Sequence, residues 1–233
     1  MLSIVMLVYN INPVVSQMSR EAVRSVVENT VGEYELILLK NGGDVLDWTI
    51  YDGGVKNGLQ LSTDRGERIG LASAYNLGFS KATGDVYCVL HNDVVLPPGW
   101  NVPLEEAARK GCIAFPMVDE SRSNCEHRGV PKTKPWQTTG ACFAMTRETW
   151  TNLGGYDEEF KGFHWEDTDL FYRAMNAGIR LVRCLVTIIH YRGATRTFTR
   201  DEERGHFERN MEIHKAKHGD LYAPAISETP QEV

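Results

Sequence analysis

Long apolar runs are missing from this chain. Nothing in its 233 residues approaches the length that spans a bilayer. The apolar opening, Met1 to Tyr9, lacks a basic flank and soon meets Asn12-Pro13, so it reads as a first buried strand and not as a leader or anchor. Basic charge is short as well. Its 25 Lys and Arg face 31 Asp and Glu, a formal charge of −6, which leaves no broad basic face for nucleic acid. The five cysteines (Cys88, Cys112, Cys125, Cys142, Cys184) are odd in number, widely spaced and without a CxxC, which argues against a zinc ribbon or a redox pair. Cys88, Cys142 and Cys184 lie in apolar runs and read as small buried hydrophobes; reduced thiols fit a cytoplasmic location. There is no internal repeat and no clean linker, so a single domain over 1–223 is expected, with a frayed tail over 224–233.

What is present alternates strand and helix. Ser3 to Tyr9 reads as a buried parallel strand, Pro13 to Asn29 as a helix with an apolar stripe, and Tyr34 to Leu39 as a second strand ending at the turn Asn41-Gly42-Gly43-Asp44. Short strands are expected at Thr49 to Tyr51 and Gly58 to Ser62. A helix over Leu71 to Lys81, a strand over Asp85 to Leu90, a helix from Val102 to Lys110 and a strand from Cys112 to Pro116 continue the series. This is the pattern of an α/β fold with a mostly parallel central sheet flanked by helices. Asp119 to Gln137 is polar and turn-rich, a long loop of the kind that often carries function. Beyond it come a strand over Thr138 to Thr146, a short helix over Arg147 to Leu153, a helix over Glu166 to Ala177, strand structure over Ile179 to His190 and a last helix from Asp201 to His218.

Polar residues cluster where strands end, the edge at which open α/β sheets bind ligands. Tyr9-Asn10 and Lys40-Asn41 close the first two strands and suit a nucleobase and ribose, although Asn10 and Asn41 equally suit plain turns. Arg68-Ile69-Gly70 opens a helix with small residues at Gly70, Ala74 and Gly78, and with Asn76 where helix propensity disfavours it. His91-Asn92-Asp93 ends an apolar run. Asp93 offers a hard oxygen to a divalent metal carrying phosphates, and Asn92 a hydrogen bond to a sugar; a surface turn accounts for the same three residues. His164-Trp165 offers an amphipathic wall for a sugar ring. The Glu166-Asp167 carboxylates that follow suit a helix start, and beside an apolar wall they also suit a general base. His190 is a candidate metal ligand, although a satisfied structural histidine accounts for it equally, and Arg192 or Arg196 could neutralise a diphosphate.

Taken in order, these motifs resemble the family 2 glycosyltransferases of GT-A fold. The run includes Tyr9-Asn10, Arg68-x-Gly70-x-Ala72-x-Ala74-x-Asn76-x-Gly78, Ala82-Thr83-Gly84-Asp85 and His91-Asn92-Asp93. It continues through Gly140-Ala141, Gly154-Gly155-Tyr156-Asp157, Glu166-Asp167 and His190. The likeness is greatest to the rhamnosyl- and galactofuranosyl-type branch. The resemblance implies a single Rossmann-like domain and an inverting transfer of a hexosyl or deoxyhexosyl group from a nucleoside-diphosphate sugar to an acceptor hydroxyl. Asp93, as the last acid of a DXD-like motif, and His190 would hold Mn or Mg, and Asp167, beside Glu166, would be the base. Tyr9, Asn10, Asn41, Arg68, Gly70, Asn76, Asn92 and Asp93 would line the donor side, with Gly140 and Ala141 beneath the sugar. His164 and Trp165 would face the acceptor, which could be a glycan, a lipid-linked glycan reached by peripheral membrane contact, or a protein side chain. His91 stands where the family has its first acid, and Lys40-Asn41 where an acid often meets the nucleotide. Two other readings share the architecture: a degenerate nucleotide-sugar-binding module, and a sugar nucleotidyltransferase. The second would want a Gly-rich phosphate loop after strand one, where Asn10-Ile11-Asn12-Pro13 stands instead.

Overall fold

A computed structural model describes residues 1–8, 12–41, 58–62, 69–121, 138–192 and 200–219. The first strand, β1 (Leu2–Val8), is buried along its whole length, as a continuous apolar run in a parallel sheet should be. Leu2, Ile4, Met6 and Val8 point to one face, where α1 (Pro13–Asn29) and α3 (Asn101–Arg109) pack; Val5 and Leu7 point to the other, under α2 (Leu71–Ser80), α4 (Arg147–Leu153) and α5 (Glu166–Asn176). A further helix, α6 (Arg200–His218), lies against α5. The remaining strands are β2 (Tyr34–Lys40), β3 (Gly58–Ser62), β4 (Val86–His91), β5 (Val94–Val95), β6 (Ile113–Asp119), β7 (Cys142–Thr146) and β8 (Leu181–His190).

Among the described residues the sheet runs β3-β2-β1-β4-β7-β6-β8-β5. β3, β2, β1 and β4 are mutually parallel, and β6 pairs parallel with β8. The expectation of a mostly parallel sheet holds with two exceptions: β7 runs antiparallel between β4 and β6, and the two-residue β5 runs antiparallel to β8. The reversal has a structural effect. It brings the start of β7 to the edge where β4, β6 and β8 end. The strand expected over 138–146 begins only at Cys142, because Gly140 and Ala141 form the turn that feeds it. The expected strand at Thr49 to Tyr51, residues 122–137 of the expected loop and the 224–233 tail lie outside the described residues, whereas Asp119 is the last residue of β6. Cys88, Cys142 and Cys184 are buried free thiols, as their apolar runs imply, and Cys112 is buried and free as well. No helix among the described residues is long and apolar enough to cross a membrane.

Local chemistry explains the element boundaries. Asn12 caps α1 by accepting from the Val15 N–H at 2.9 Å, with Pro13 at the first helical position. Thr146 caps α4 in the same way, and Gly154, at φ 77°, ends it in the left-handed region. Gly78 must be glycine, since a Cβ there would lie 2.5 Å from a methyl of Val5 on β1. The Ala82-Thr83-Gly84-Asp85 motif is an anion cradle inside the fold. Glu35 Oε1 accepts from Ser3 Oγ at 2.5 Å, Thr83 N at 2.6 Å, Thr83 Oγ1 at 3.0 Å and Gly84 N at 3.1 Å.

Burial alone would raise the Glu35 carboxyl, but these donors outweigh it and hold its pKa below the ordinary 4.5. The carboxylate's contribution is therefore fully present above the unfolded-state pKa and fades as pH falls through the lower folded value. Glu35→Ala is expected to cost roughly 2–4 kcal/mol at neutral pH, and less on acidification. Denaturant unfolding across a pH series checks this; a wild type and variant separated by the same interval at pH 7 and pH 3 would contradict it.

Candidate active site

The ends of β4, β6 and β8, the starts of β5 and β7 and the start of α5 meet at one edge of the sheet. The turn between β4 and β5 presents His91, Asn92 and Asp93, and Asp93 is almost fully buried. Its Oδ1 lies 3.3 Å from Nε2 of His190, the last residue of β8. His190 Nδ1 in turn lies 3.8 Å from Glu120 at the end of β6, whose other oxygen is 3.7 Å from Arg192. The His91 ring stands edge-on to His190, with centroids 6.1 Å apart, and stacks over Tyr75.

One donor atom each from His91, Asp93 and His190 lies within 4.8 Å of the others. Burial pushes the His91 imidazole down to a pKa of about 4, so it is neutral at physiological pH. Burial also opposes the charged form of His190, but the Asp93 and Glu120 carboxylates prevail and push it up to about 9. The Asp93 carboxyl, which burial alone would raise, is held below its usual range by the two imidazoles. Two imidazoles and a carboxylate at this spacing suit a divalent metal, with the metal taking the place of the His190 proton. The position of His91 in this cluster was not read from sequence, where it appeared only as a departure from an acidic motif.

Across the turn at Gly140-Ala141 stands the carboxylate pair. The Ala141 carbonyl accepts from the His91 N–H at 2.8 Å, and the Gly140 N–H bonds Asp167. A Cβ at Gly140 would sit 2.6 Å from Asp167 Oδ2, so the carboxylate occupies space that only glycine leaves. Burial raises both carboxyls of the pair. Glu166, with a buried oxygen that has no hydrogen-bond partner among the described residues, is pushed up to about 8 by burial and by Asp167's charge. Asp167 Oδ1 accepts from the Thr168 N–H at 2.7 Å. Backbone donors on Asp167 and none on Glu166 Oε2 favour the charged form at Asp167 over Glu166.

The remaining expected residues divide. Asn41 and Gly70 line a cavity of about 310 Å³ together with Ile69, Leu71, Lys161, Gly162, Phe163 and His206. Asn41 exchanges two 2.9 Å hydrogen bonds with the Ile69 backbone, and Gly70 packs directly on Gly162. Asn76 is not in this cavity wall: its amide bonds the Tyr156 backbone and Glu158, which explains an Asn inside a helix as a brace for the 155–158 turn. Asn92 turns toward α1, where it donates to Ser19 Oγ at 2.8 Å. Trp165 is buried against Phe207 and His214 of α6 instead of standing out as an open platform, and His164 lies 3.4 Å from Glu203. Tyr9, Asn10, Arg68 and Arg196 lie outside the described residues.

The segment leading into α5 is strained. His164 and Trp165 have φ of 76° and 74°, a conformation that costs non-glycine residues about 1–3 kcal/mol each. Asn210 of α6, fully buried, offsets this: its side-chain N–H group reaches the carbonyls of Lys161, Phe163 and His164 at 3.1, 3.1 and 2.8 Å. Gly162 beside it, at φ 78°, must lack a Cβ because His206 would lie 2.5 Å away. Asn210→Ala removes the donor from the Phe163 and His164 carbonyls and leaves the Lys161 carbonyl to Arg209 alone, and is expected to lower stability by roughly 2–4 kcal/mol. Thermal unfolding checks this, and a midpoint within a degree of wild type would contradict it.

Solved structures share this fold. Among solved structures, the chain is similar to GalNAc-T7 with UDP, GalNAc and Mn2+ (TM-score 0.65, 18% identity, 81% of this chain and 42% of that one). It is similar to the 1–349 portion of S. aureus TarS (TM-score 0.62, 12% identity, 95% and 67%). It is also similar to the mannosyltransferase PcManGT from Pyrobaculum calidifontis in complex with GDP-Man and Mn2+ (TM-score 0.61, 18% identity, 96% and 65%). The chain thus spans about two fifths of GalNAc-T7 and about two thirds of the other two. The shared fold is GT-A. Comparison with curated proteins found no match. The family model for glycosyl transferase family 2 matches residues 3–171, well over half of the sequence, and the chain belongs to that family.

Proposed function

We propose that this protein transfers a sugar from a nucleoside-diphosphate donor to an acceptor hydroxyl in a single displacement that inverts the anomeric centre. The observation that carries the reading is the convergence at one sheet edge of a carboxylate pair, Glu166 buried and Asp167 half-buried, and a His-Asp-His cluster, joined through Gly140-Ala141. Asp167, ionised and held by backbone N–H groups, accepts the proton of the attacking hydroxyl. Glu166 keeps its proton and so avoids a second charge beside the base. Nucleobase and ribose lie in the cavity walled by Asn41 and Gly70, where Asn41 is fixed by the Ile69 backbone. Tyr9, Asn10 and Arg68 keep the donor-side roles that the family resemblance implies.

His91, Asp93 and His190 would hold a divalent metal such as Mn2+ or Mg2+, which when bound neutralises charge on the departing diphosphate. Two structural neighbours whose complexes contain Mn2+ support that reading. The donor carries a hexosyl or deoxyhexosyl group, with the rhamnosyl- and galactofuranosyl-type branch favoured by the order of the motifs. Asn76 and Asn92 act as braces for the site; Trp165 shapes the acceptor side from beneath. A degenerate binding module would have no use for a buried Glu166 carboxyl set beside Asp167, an arrangement that is costly to keep unless it does chemistry.

Asp167→Asn preserves shape and hydrogen-bond geometry while removing the base. Transfer is expected to fall by about 10²–10⁴-fold, while donor binding and thermal stability stay close to wild type. Steady-state transfer assays with a panel of nucleotide sugars, alongside binding measurements, check this. Turnover like that of wild type would overturn the assignment of Asp167 as the base.

A further inference from the structure

A second cluster of metal-ligating side chains lies away from the donor-side one, between α5 and α6. His214 and His218 stand four residues apart on one face of α6 and so project side by side. Asp169 of α5 faces them. A carboxylate oxygen of Asp169 and one ring nitrogen of each histidine all lie within 4.8 Å of one another. Asp169 and His214 are about 1% exposed, so the cluster is dry on two sides, while His218 at the end of α6 is partly open to solvent.

The carboxylate is held in place. Asp169 Oδ2 accepts from Arg173 Nε at 2.8 Å, and the same guanidinium bonds the carbonyls of Leu153 and Gly155. That leaves Oδ1 directed at the histidines, 2.7 Å from His218 Nε2. The two imidazole rings have centroids 4.8 Å apart; Tyr172 packs on both, and Trp165 packs on His214. Arg173 gives the carboxylate the kind of outer hydrogen bond that orients a metal ligand, and the aromatic rings limit solvent access to the histidines.

We propose that Asp169, His214 and His218 bind a divalent transition-metal ion of the Zn2+ class that clasps α6 to α5. Two imidazoles and one carboxylate match the nitrogen-oxygen ligand sets of zinc, and the open side at His218 leaves room for a water as the fourth ligand. Mg2+ and Ca2+, which prefer all-oxygen shells, fit poorly. The ion replaces the proton between Asp169 and His218. Its structural effect is to anchor the helix whose Asn210 supports the strained approach to Glu166 and Asp167.

The test uses the full chain stripped by chelator, with Zn2+ and Co2+ as probes. An Asp93→Ala variant silences the donor-side cluster. Calorimetry should show roughly one Zn2+ bound per chain in that background, and Co2+ should give the visible absorption of a four-coordinate nitrogen-oxygen site. Adding His218→Ala should weaken uptake by about tenfold or more and abolish the Zn2+-dependent rise in Tm. His218 ends α6, so its loss spares the helix; circular dichroism verifies this, and His214→Ala provides a second, independent variant. In otherwise wild-type protein, His218→Ala should remove one of the bound ions. No uptake by Asp93→Ala, or uptake unchanged by both histidine variants, would overturn the proposal and leave Asp169 and His218 as a hydrogen-bonded pair only.

Discussion

The site depends on the close packing of a two-residue turn. Gly140 and Ala141 pass between the end of β4 and the start of α5, one bonding Asp167 through its N–H and the other accepting from His91 through its carbonyl. This link ties the His-Asp-His cluster to the carboxylate pair by backbone geometry, which is stiffer than any contact between long side chains. The link exists because β7 runs antiparallel. A parallel strand in that place would begin at the opposite edge, and the turn feeding it would lie far from the strand ends that carry His91, Glu120 and His190. The absence of a side chain at position 140 then sets where Asp167 can stand.

Charge is distributed so that each buried group has a reason to hold its state. On one side of the turn, the carboxylates of Asp93 and Glu120 keep His190 protonated, while His91, farther from compensation, is neutral. On the other side burial raises both carboxyls, and the backbone hydrogen bonds to Asp167 oppose that rise. A cluster whose charges balance around His190, set beside a carboxylate pair, suits a reaction that moves charge between an attacking hydroxyl and a departing diphosphate.

Much of this was legible in the sequence. Uninterrupted apolar runs gave away β1, β2 and β4, and the abrupt polar endings at Asn41 and His91 marked the sheet edge where the candidate site lies. Glu166 and Asp167 were visible as a pair because they stand at a helix start behind aromatic residues. The uses of individual amides were not legible. Asn76 and Asn92 read as ligand-facing because polar side chains near strand ends often are, yet each meets a backbone or hydroxyl partner some 70–80 residues away in the chain. Trp165 read as a platform because nothing local shows that α6 will cover it. The role of α6 itself was hidden. It is polar around most of its surface, and its anchors, Asn210, His214 and His218, act through residues almost 50 positions away that only the folded chain brings near. Periodicity reports what a helix buries in apolar area; it does not report a helix held by hydrogen bonds.

The most direct test of the central claim is calorimetric titration of UDP, GDP, dTDP and CMP into the wild type and Asp93→Ala, each with and without Mn2+. The account predicts that one nucleotide binds the wild type tightly only when Mn2+ is present, and that Asp93→Ala loses this metal dependence. Absence of binding by every nucleotide, or identical binding by both proteins in both conditions, would contradict it.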